Sequence, residues 1–100
     1  MEIVFRIVDT FGMEVYLSRE RYRHMLKHPQ MHNQLDSIKE TLTHPTAVRH
    51  YEEGKSVKYY YKEFKNRTPS ERYLLVSVKY LNGVGFIITS FFTNKITGKK

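Results

Sequence analysis

The sequence has no cysteine and no tryptophan, and only three of its 100 residues are proline. The lack of cysteine excludes disulfide scaffolds, zinc sites with cysteine ligands and thiol nucleophiles. There is no apolar run near the ~20 residues that a membrane-spanning helix needs, and no secretory pattern at the start of the chain. We therefore expect a soluble, cytoplasmic protein that does not associate with membranes.

Acidic residues are also scarce relative to basic ones. The chain has 17 lysines and arginines against 10 aspartates and glutamates, so its net charge is +7 and its pI is about 9.7. Such an excess favours a polyanionic partner. Hydrophobic residues make up 40% and aromatic residues 14% of the chain, which is enough for one folded core. We predict a single domain over residues 1–100.

The pattern of apolar and turn residues predicts strands first, then helices, then strands again. Alternation and turn signals predict a β-hairpin over residues 3–17, with Ser18 as the cap of a first helix that Pro29 ends at His28. A second helix is predicted to about Thr43, with Asn33 as its cap and an apolar stripe of Leu35, Ile38 and Leu42. Four further strands are expected over residues 47–51, 56–64, 72–81 and 84–93, with turns at 52–55 and 82–83.

This order predicts an α+β fold with an N-terminal β-hairpin and two short helices packed on a four-stranded antiparallel sheet. The polar loop 65–71 joins two of the strands. The basic tail, residues 94–100, is expected to be flexible.

The segment RERYRHMLKHP, residues 19–29, carries the most chemistry. On a helix its apolar stripe contains Tyr22, Met25 and Leu26, and this places His24 and His28 together on the opposite side. Arg21 projects from the same side and Lys27 lies on its flank. Two imidazoles beside cations suit acid/base cleavage of RNA, in which the cations stabilise the phosphorane. The alternative is that both histidines are simply polar-face residues.

A metal site is a weaker alternative. His24, His28 and His32 repeat at intervals of four, but Pro29 interrupts the helical register and no nearby carboxylate completes a ligand set. We therefore predict no metal and no cofactor.

The later strands add possible nucleic-acid contacts. In FIITSFFT, alternation allows either Thr89 or Ser90, but not both, to face a phosphate. Lys58, Tyr60 and Lys62 share one strand face that could stack a base and hold its phosphates. The alternative is an ordinary amphipathic strand whose Tyr59 and Tyr61 pack in the core, and both interpretations can hold at once on opposite faces. Further strand cations are Arg49, Arg72 and Lys79.

Four segments together, RHMLKHP, ETLTHP, RYLLVSVKY and GFIITSFFT, resemble a known family. They are similar to small phage-associated nuclease-like domains grouped with the barnase, EndoU, colicin and RelE ribonucleases, the BECR fold. The resemblance covers residues 19–97. It implies two helices followed by a four-stranded antiparallel sheet, and a metal-independent RNase, often a toxin or an effector.

By position, the resemblance makes His24 and His28 the acid/base residues, Lys27 the cation where the family usually has arginine, and Thr89 the hydroxyl of the terminal strand. The sequence departs from the family pattern at Tyr22, Met25 and Ser90, where tryptophan, isoleucine and alanine are usual. Lysine at position 27 keeps the charge but loses bidentate phosphate recognition.

The predicted function is therefore metal-independent endoribonuclease activity by transphosphorylation, with RNA as the partner. Thr89 or Ser90 would contact the phosphate. Two alternatives stay open: a nucleic-acid-binding module without catalysis, and a toxin-type domain held by an acidic antitoxin or immunity-type protein.

Overall fold

A six-stranded mixed sheet and two α-helices form the fold, in a computed structural model that describes residues 2–50 and 56–98. The strands are β1 (Ile3–Val8), β2 (Glu14–Ser18), β3 (Ala47–Arg49), β4 (Val57–Glu63), β5 (Tyr73–Leu81) and β6 (Val84–Thr93), and the helices are α1 (Arg19–Met25) and α2 (Leu35–Thr43). Short 3₁₀ turns lie at Pro29–Met31 and Pro69–Glu71. The α+β class and the order of helices and strands are confirmed. The predicted turn at 52–55 and position 51 lie outside the described residues.

The predicted four-stranded antiparallel sheet is wrong. The strand order is β1-β2-β6-β5-β4-β3, because the N-terminal hairpin joins the sheet through a parallel pairing of β2 with β6. Parallel pairing between strands so far apart in the chain leaves no local turn signal in the sequence. The other four strands do form the predicted antiparallel meander. Its last turn has Asn82 and Gly83 at φ 54° and 79°, as a two-residue type I′ turn requires.

Gly85 lies at the centre of the parallel pairing, opposite Val15. A Cβ atom at this position would stand 2.8 Å from Val78 Cγ1 and 3.0 Å from Val15 Cγ2. Any larger residue would collide with side chains of both neighbouring strands, β5 and β2, so the packing around the parallel pairing favours glycine here.

The helices cover one face of the sheet and create the main core. Fully or almost fully buried side chains from both helices and from five strands meet there: Phe5, Val15, Leu17, Met25, Met31, Ile38, Leu42, Tyr60, Leu74, Val76, Val78 and Ile87. Each aliphatic side chain of this kind contributes roughly 1.5–3 kcal/mol when removed from water. We refer to the opposite face as the helix-free face.

A β-bulge in β6 decides which of its residues face the core. Val78 pairs with Ile87 whereas Ser77 pairs with Thr89, so Ile88 is an extra residue in β6. Regular alternation from the buried Ile87 would turn Thr89 toward the core as well. The bulge reverses this pattern, and it exposes Thr89 while Ser90 is buried.

The first helix begins as predicted and ends earlier. The Ser18 hydroxyl accepts a hydrogen bond from the Arg21 amide at 3.2 Å, which confirms the N-cap. The helix ends at Met25 instead of His28. After it, the amides of Lys27 and His28 donate to carbonyls three residues earlier, His24 and Met25. This tighter geometry changes the direction of the side chains that follow.

In the second helix, the predicted apolar stripe is confirmed, since Ile38 and Leu42 are fully buried. The predicted cap is wrong. Asn33 has φ 62° and precedes the actual cap residue, Gln34. An asparagine tolerates the left-handed region, which here turns the chain between the two helices.

The chain after β6 runs across the helix-free face. The hydroxyls of Thr97 and Tyr61 lie 3.3 Å apart, and Gly98 packs near the Cβ atom of Arg49. This segment helps to explain why Tyr61 is 1% exposed although it is absent from the main core. The flexibility expected for the tail stays a prediction, and residues 99 and 100 lie outside the described part. None of the helices described is long and apolar enough to cross a bilayer.

Candidate active site at the free edge of strand β6

Beyond the short pairing with β2, strand β6 has a free edge. Only Val84 to Phe86 of β6 pair with β2. From Ile87 onward, β5 is the only strand among the described residues that pairs with β6, and α1 and the turn Pro29–Met31 also pack against β6. A cavity of about 490 Å³ lies there, which we call the edge cavity. Its lining residues are His28, Gln30, Met31, Thr89, Phe91 and Phe92.

His28 is held at this cavity by its backbone. Its amide donates to the Met25 carbonyl at 3.0 Å, and its carbonyl accepts from the Met31 amide at 2.9 Å. Met25 and Met31 are both buried, at 2% and 1% exposure. Because both partners are anchored in the core, the exposed imidazole of His28 has a fixed point of attachment.

Thr89 reaches the same cavity from β6, because the bulge turns it away from the core. The structure thus brings together the predicted residues His28 and Thr89. The adjacent Ser90 is fully buried, and its hydroxyl donates to the Leu75 carbonyl at 2.8 Å. The predicted contact of Ser90 with nucleic acid is therefore wrong, since its hydroxyl is already used within the sheet.

In the wall of the edge cavity, the ring of Phe92 is held in place by contacts with Phe64 and Arg67. Phe92 meets the ring of Phe64 edge-on at 6.2 Å. The guanidinium of Arg67 lies 3.8 Å from the centre of the Phe92 ring, and this cation is paired with Glu71 at 2.7 Å. Phe91, by contrast, is 39% exposed. The cavity therefore has one fixed apolar wall and one accessible ring.

The predicted pair of histidines on one helical face is wrong. His24 is in α1, whereas His28 follows the end of the helix in an extended conformation, with φ −95° and ψ 115°. His24 and Lys27 are both exposed, and neither is among the lining residues of the edge cavity. Their predicted roles as acid/base partner and phosphorane cation stay predictions.

His32, the third histidine of the repeat, has a local structural role. Its ring Nε2 lies 3.0 Å from the Leu26 carbonyl, to which it can donate a hydrogen bond. This contact satisfies one of the carbonyls left free at the end of α1.

Two of the predicted cations, Arg21 and Lys79, meet at a second cavity of about 210 Å³. It lies on the helix-free face, where β2 leaves β6 to enter α1, and we call it the notch. Its lining residues are Tyr16, Ser18, Arg21, Lys79, Leu81, Phe86, Ile87 and Ile88.

The predicted binding face of β4 is wrong. Tyr60 is 0% exposed and belongs to the core, so its ring is not available to stack a base. Lys58 and Lys62 share its side of the sheet. The Lys58 ammonium lies 4.2 Å from the centre of the Phe11 ring, and Lys62 donates to the His44 carbonyl at 2.9 Å. Both cations thus have partners within the protein.

Arg49 lies far from both cavities. Its strand, β3, forms the edge of the sheet three strands away from β6, or about 14 Å at ~4.8 Å per strand. The half-buried guanidinium donates to the carbonyl of its neighbour Val48 at 3.1 Å. It is therefore not part of a site at β6.

The β1–β2 turn contains a buried carboxylate that is not predicted from the sequence. Asp9 is 5% exposed. One of its oxygens accepts from the amides of Phe11 and Met13 at 2.8 and 2.9 Å. The other accepts from the hydroxyls of Tyr60, at 3.0 Å, and Tyr80. The two tyrosine hydroxyls also contact each other.

The hydrogen bonds of this cluster determine its ionisation. Burial alone would raise the pKa of Asp9, but the bonds from Tyr80, from the amides of Met13 and Phe11, and from Tyr60 outweigh burial and lower it. Burial raises the pKa of both tyrosines, as does the neighbouring carboxylate. The cluster thus holds a charged aspartate against two neutral phenols. The turn sequence DTFG contained its only local signal, an aspartate able to bond the amides that follow it.

Comparisons of the chain with protein-family models, curated proteins and solved structures find no match. The resemblance to the BECR-fold ribonucleases therefore stays a prediction, and the case for a function depends on the residues of the two cavities.

Proposed function

We propose that the protein is an endoribonuclease that cleaves RNA by transphosphorylation at the edge cavity. The observation that carries this proposal is that His28 and Thr89, from different parts of the chain, line one cavity. The net charge of +7 supports an RNA partner, because it attracts the phosphate backbone from a distance.

In this reaction the 2′-oxygen attacks the adjacent phosphorus while the bond to the 5′-oxygen breaks. One group removes the 2′-hydroxyl proton and another protonates the leaving oxygen. We assign one of these transfers to His28, because an imidazole can both accept and donate a proton. The Thr89 hydroxyl donates to a non-bridging phosphate oxygen, where negative charge develops. The products are a 2′,3′-cyclic phosphate and a 5′-hydroxyl.

Binding of RNA without cleavage is the second proposal. Among the described residues that line the edge cavity, His28 is the only one with an acidic or basic side chain, whereas the reaction needs two proton transfers. Binding alone needs no second group. An acidic protein partner stays a prediction that no contact in the described residues favours.

The test compares RNA cleavage by the wild type, by His28→Gln and by His44→Gln. Defined single-stranded RNAs are incubated in EDTA and the product ends are analysed. His44 is also exposed, but it lies at the end of α2, so its variant controls for the loss of a histidine and for a co-purifying nuclease. We expect His28→Gln to lose about 100-fold or more in rate, with the cyclic phosphate as the wild-type product.

No cleavage by the wild type, or equal cleavage by His28→Gln and His44→Gln, would contradict the proposed enzyme. RNA binding that persists without products would then favour the binding module. The unfolding midpoints of both variants should stay near that of the wild type, because exposed side chains contribute little to stability.

A further inference from the structure

The notch beside the edge cavity combines features that suit one nucleotide. On its floor, Tyr16 and Phe86 stand opposite each other in the parallel pairing of β2 and β6. Their rings are 5.9 Å apart and inclined by 24°, and both are half-buried. A stacked aromatic pair with part of its surface accessible can extend the stack to a nucleobase.

Two cations line the same notch as this aromatic pair. Arg21 and Lys79 are exposed, and no carboxylate is among the residues that line the notch. Within the described residues, neither cation takes part in an ion pair, and the nearby Glu14 is paired with Arg6 at 3.3 Å. An unneutralised pair of this kind attracts an anion, and the arginine fork matches the geometry of a phosphate.

The notch and the edge cavity are lined by adjacent segments of β6. Phe86, Ile87 and Ile88 line the first, and Thr89, Phe91 and Phe92 line the second. Three residues of a strand span roughly 10 Å, so neighbouring nucleotides of one extended strand can occupy both. The bases of a duplex are already stacked and paired and cannot reach the aromatic floor.

We propose that the notch is a nucleotide subsite for single-stranded RNA. The base stacks on Tyr16 and Phe86, and its phosphate lies between Arg21 and Lys79. This inference rests on the proposed function for the neighbouring phosphate at His28, and it specifies an unpaired strand as the substrate.

The test measures binding of a fluorescent 2′-O-methyl RNA, which lacks the attacking hydroxyl, as a single strand and as a duplex of the same sequence. The protein variants are Arg21→Glu with Lys79→Glu, Phe86→Leu, and a control with Arg23→Glu and Lys65→Glu. The control makes the same change in charge at two exposed positions outside both cavities. Glutamate at position 21 suits the first turn of α1, since it completes a capping box with Ser18.

We expect the single strand to bind at least 10-fold more tightly than the duplex. Phe86→Leu should weaken single-strand binding by about 5- to 20-fold, as loss of a base stack does. The double variant at the notch should weaken it by more than the charge-matched control does. Circular dichroism verifies that each variant is folded.

Equal weakening by the two double variants would overturn the inference, since it would indicate attraction by net charge alone. Equal binding of duplex and single strand would overturn it too. A wild type that cleaves no RNA but loses single-strand binding in the notch variants would contradict the proposed function and support the subsite. If the notch variants cleave single strands as fast as the wild type does, the result would support the proposed function and contradict the subsite.

Discussion

Two groups of polar side chains in this protein differ in whether their donors and acceptors are already used in hydrogen bonds within the protein. In the Asp9 cluster, both carboxylate oxygens and both tyrosine hydroxyls bond one another or nearby amides, in a buried position. At the edge cavity, His28 and Thr89 are exposed, and within the described residues their side chains make no hydrogen bond. Polar groups that are already satisfied stabilise the fold, whereas groups that keep donors and acceptors free can bind a ligand.

The largest effect expected from this difference is on stability. Asp9→Asn replaces an oxygen that accepts from two phenols by a group that donates, and it removes the charge that strengthens the bonds. We expect a loss of about 2–4 kcal/mol in the free energy of unfolding. Asp36→Asn, at an exposed position in the first turn of α2, should lose less than about 1 kcal/mol. Urea unfolding followed by circular dichroism measures both, and similar losses would contradict the structural role of the cluster.

The same cluster predicts how the stability depends on pH. The pKa of Asp9 is lower in the folded protein than its ordinary value of 3.8. Its contribution is therefore complete above about pH 5, and it is lost as the pH falls past the ordinary pKa and through the folded pKa. The stability difference between the wild type and Asp9→Asn should be constant above about pH 5 and should shrink in more acidic solution. If the stability difference between the two proteins grows on acidification instead, the result would contradict a lowered pKa for Asp9.

A smaller effect should separate Thr89 from its neighbour Ser90, which point to opposite faces of the sheet. Thr89→Val keeps the shape and removes the hydroxyl, so RNA cleavage should fall by about 10-fold, with little change in stability. Ser90→Ala removes the bond to the Leu75 carbonyl and should reduce the free energy of unfolding by about 1 kcal/mol, with cleavage retained. Cleavage rates and urea unfolding of both variants provide the check. Loss of cleavage in Ser90→Ala but not in Thr89→Val would contradict a site on the side of the sheet that Thr89 faces.

Local signals in the sequence were sufficient for much of the fold. The hydroxyl of Ser18 predicted the start of α1, the apolar spacing predicted the buried face of α2, and Asn82 with Gly83 predicted the last hairpin turn. Each depends on residues close together in the chain. The parallel pairing of β2 with β6 does not, and Gly85 at its centre is a signal that becomes informative only when its neighbours are known.

The site was predicted less well than the fold. The sequence identifies both His28 and Thr89 as candidate site residues. It also predicts an uninterrupted helix, however, which would place His28 beside His24. The actual arrangement depends on the early end of α1 and on the bulge at Ile88, and neither follows from periodicity. The predicted binding face of β4 is wrong for a similar reason. Alternation separates Tyr60 from its neighbours Tyr59 and Tyr61 but does not indicate which side the helices cover.

If RNA binds along the free edge of β6 with a phosphate at His28 and Thr89, the residues of the edge cavity should respond to it most strongly. The most direct measurement is an NMR titration of isotope-labelled protein with a short 2′-O-methyl RNA. We expect the largest chemical-shift changes at His28, Gln30, Thr89 and Phe91, and small changes along β3 and β4. Changes concentrated at Arg49, Lys58 and Lys62, with the imidazole signals of His28 unmoved, would contradict binding at this edge.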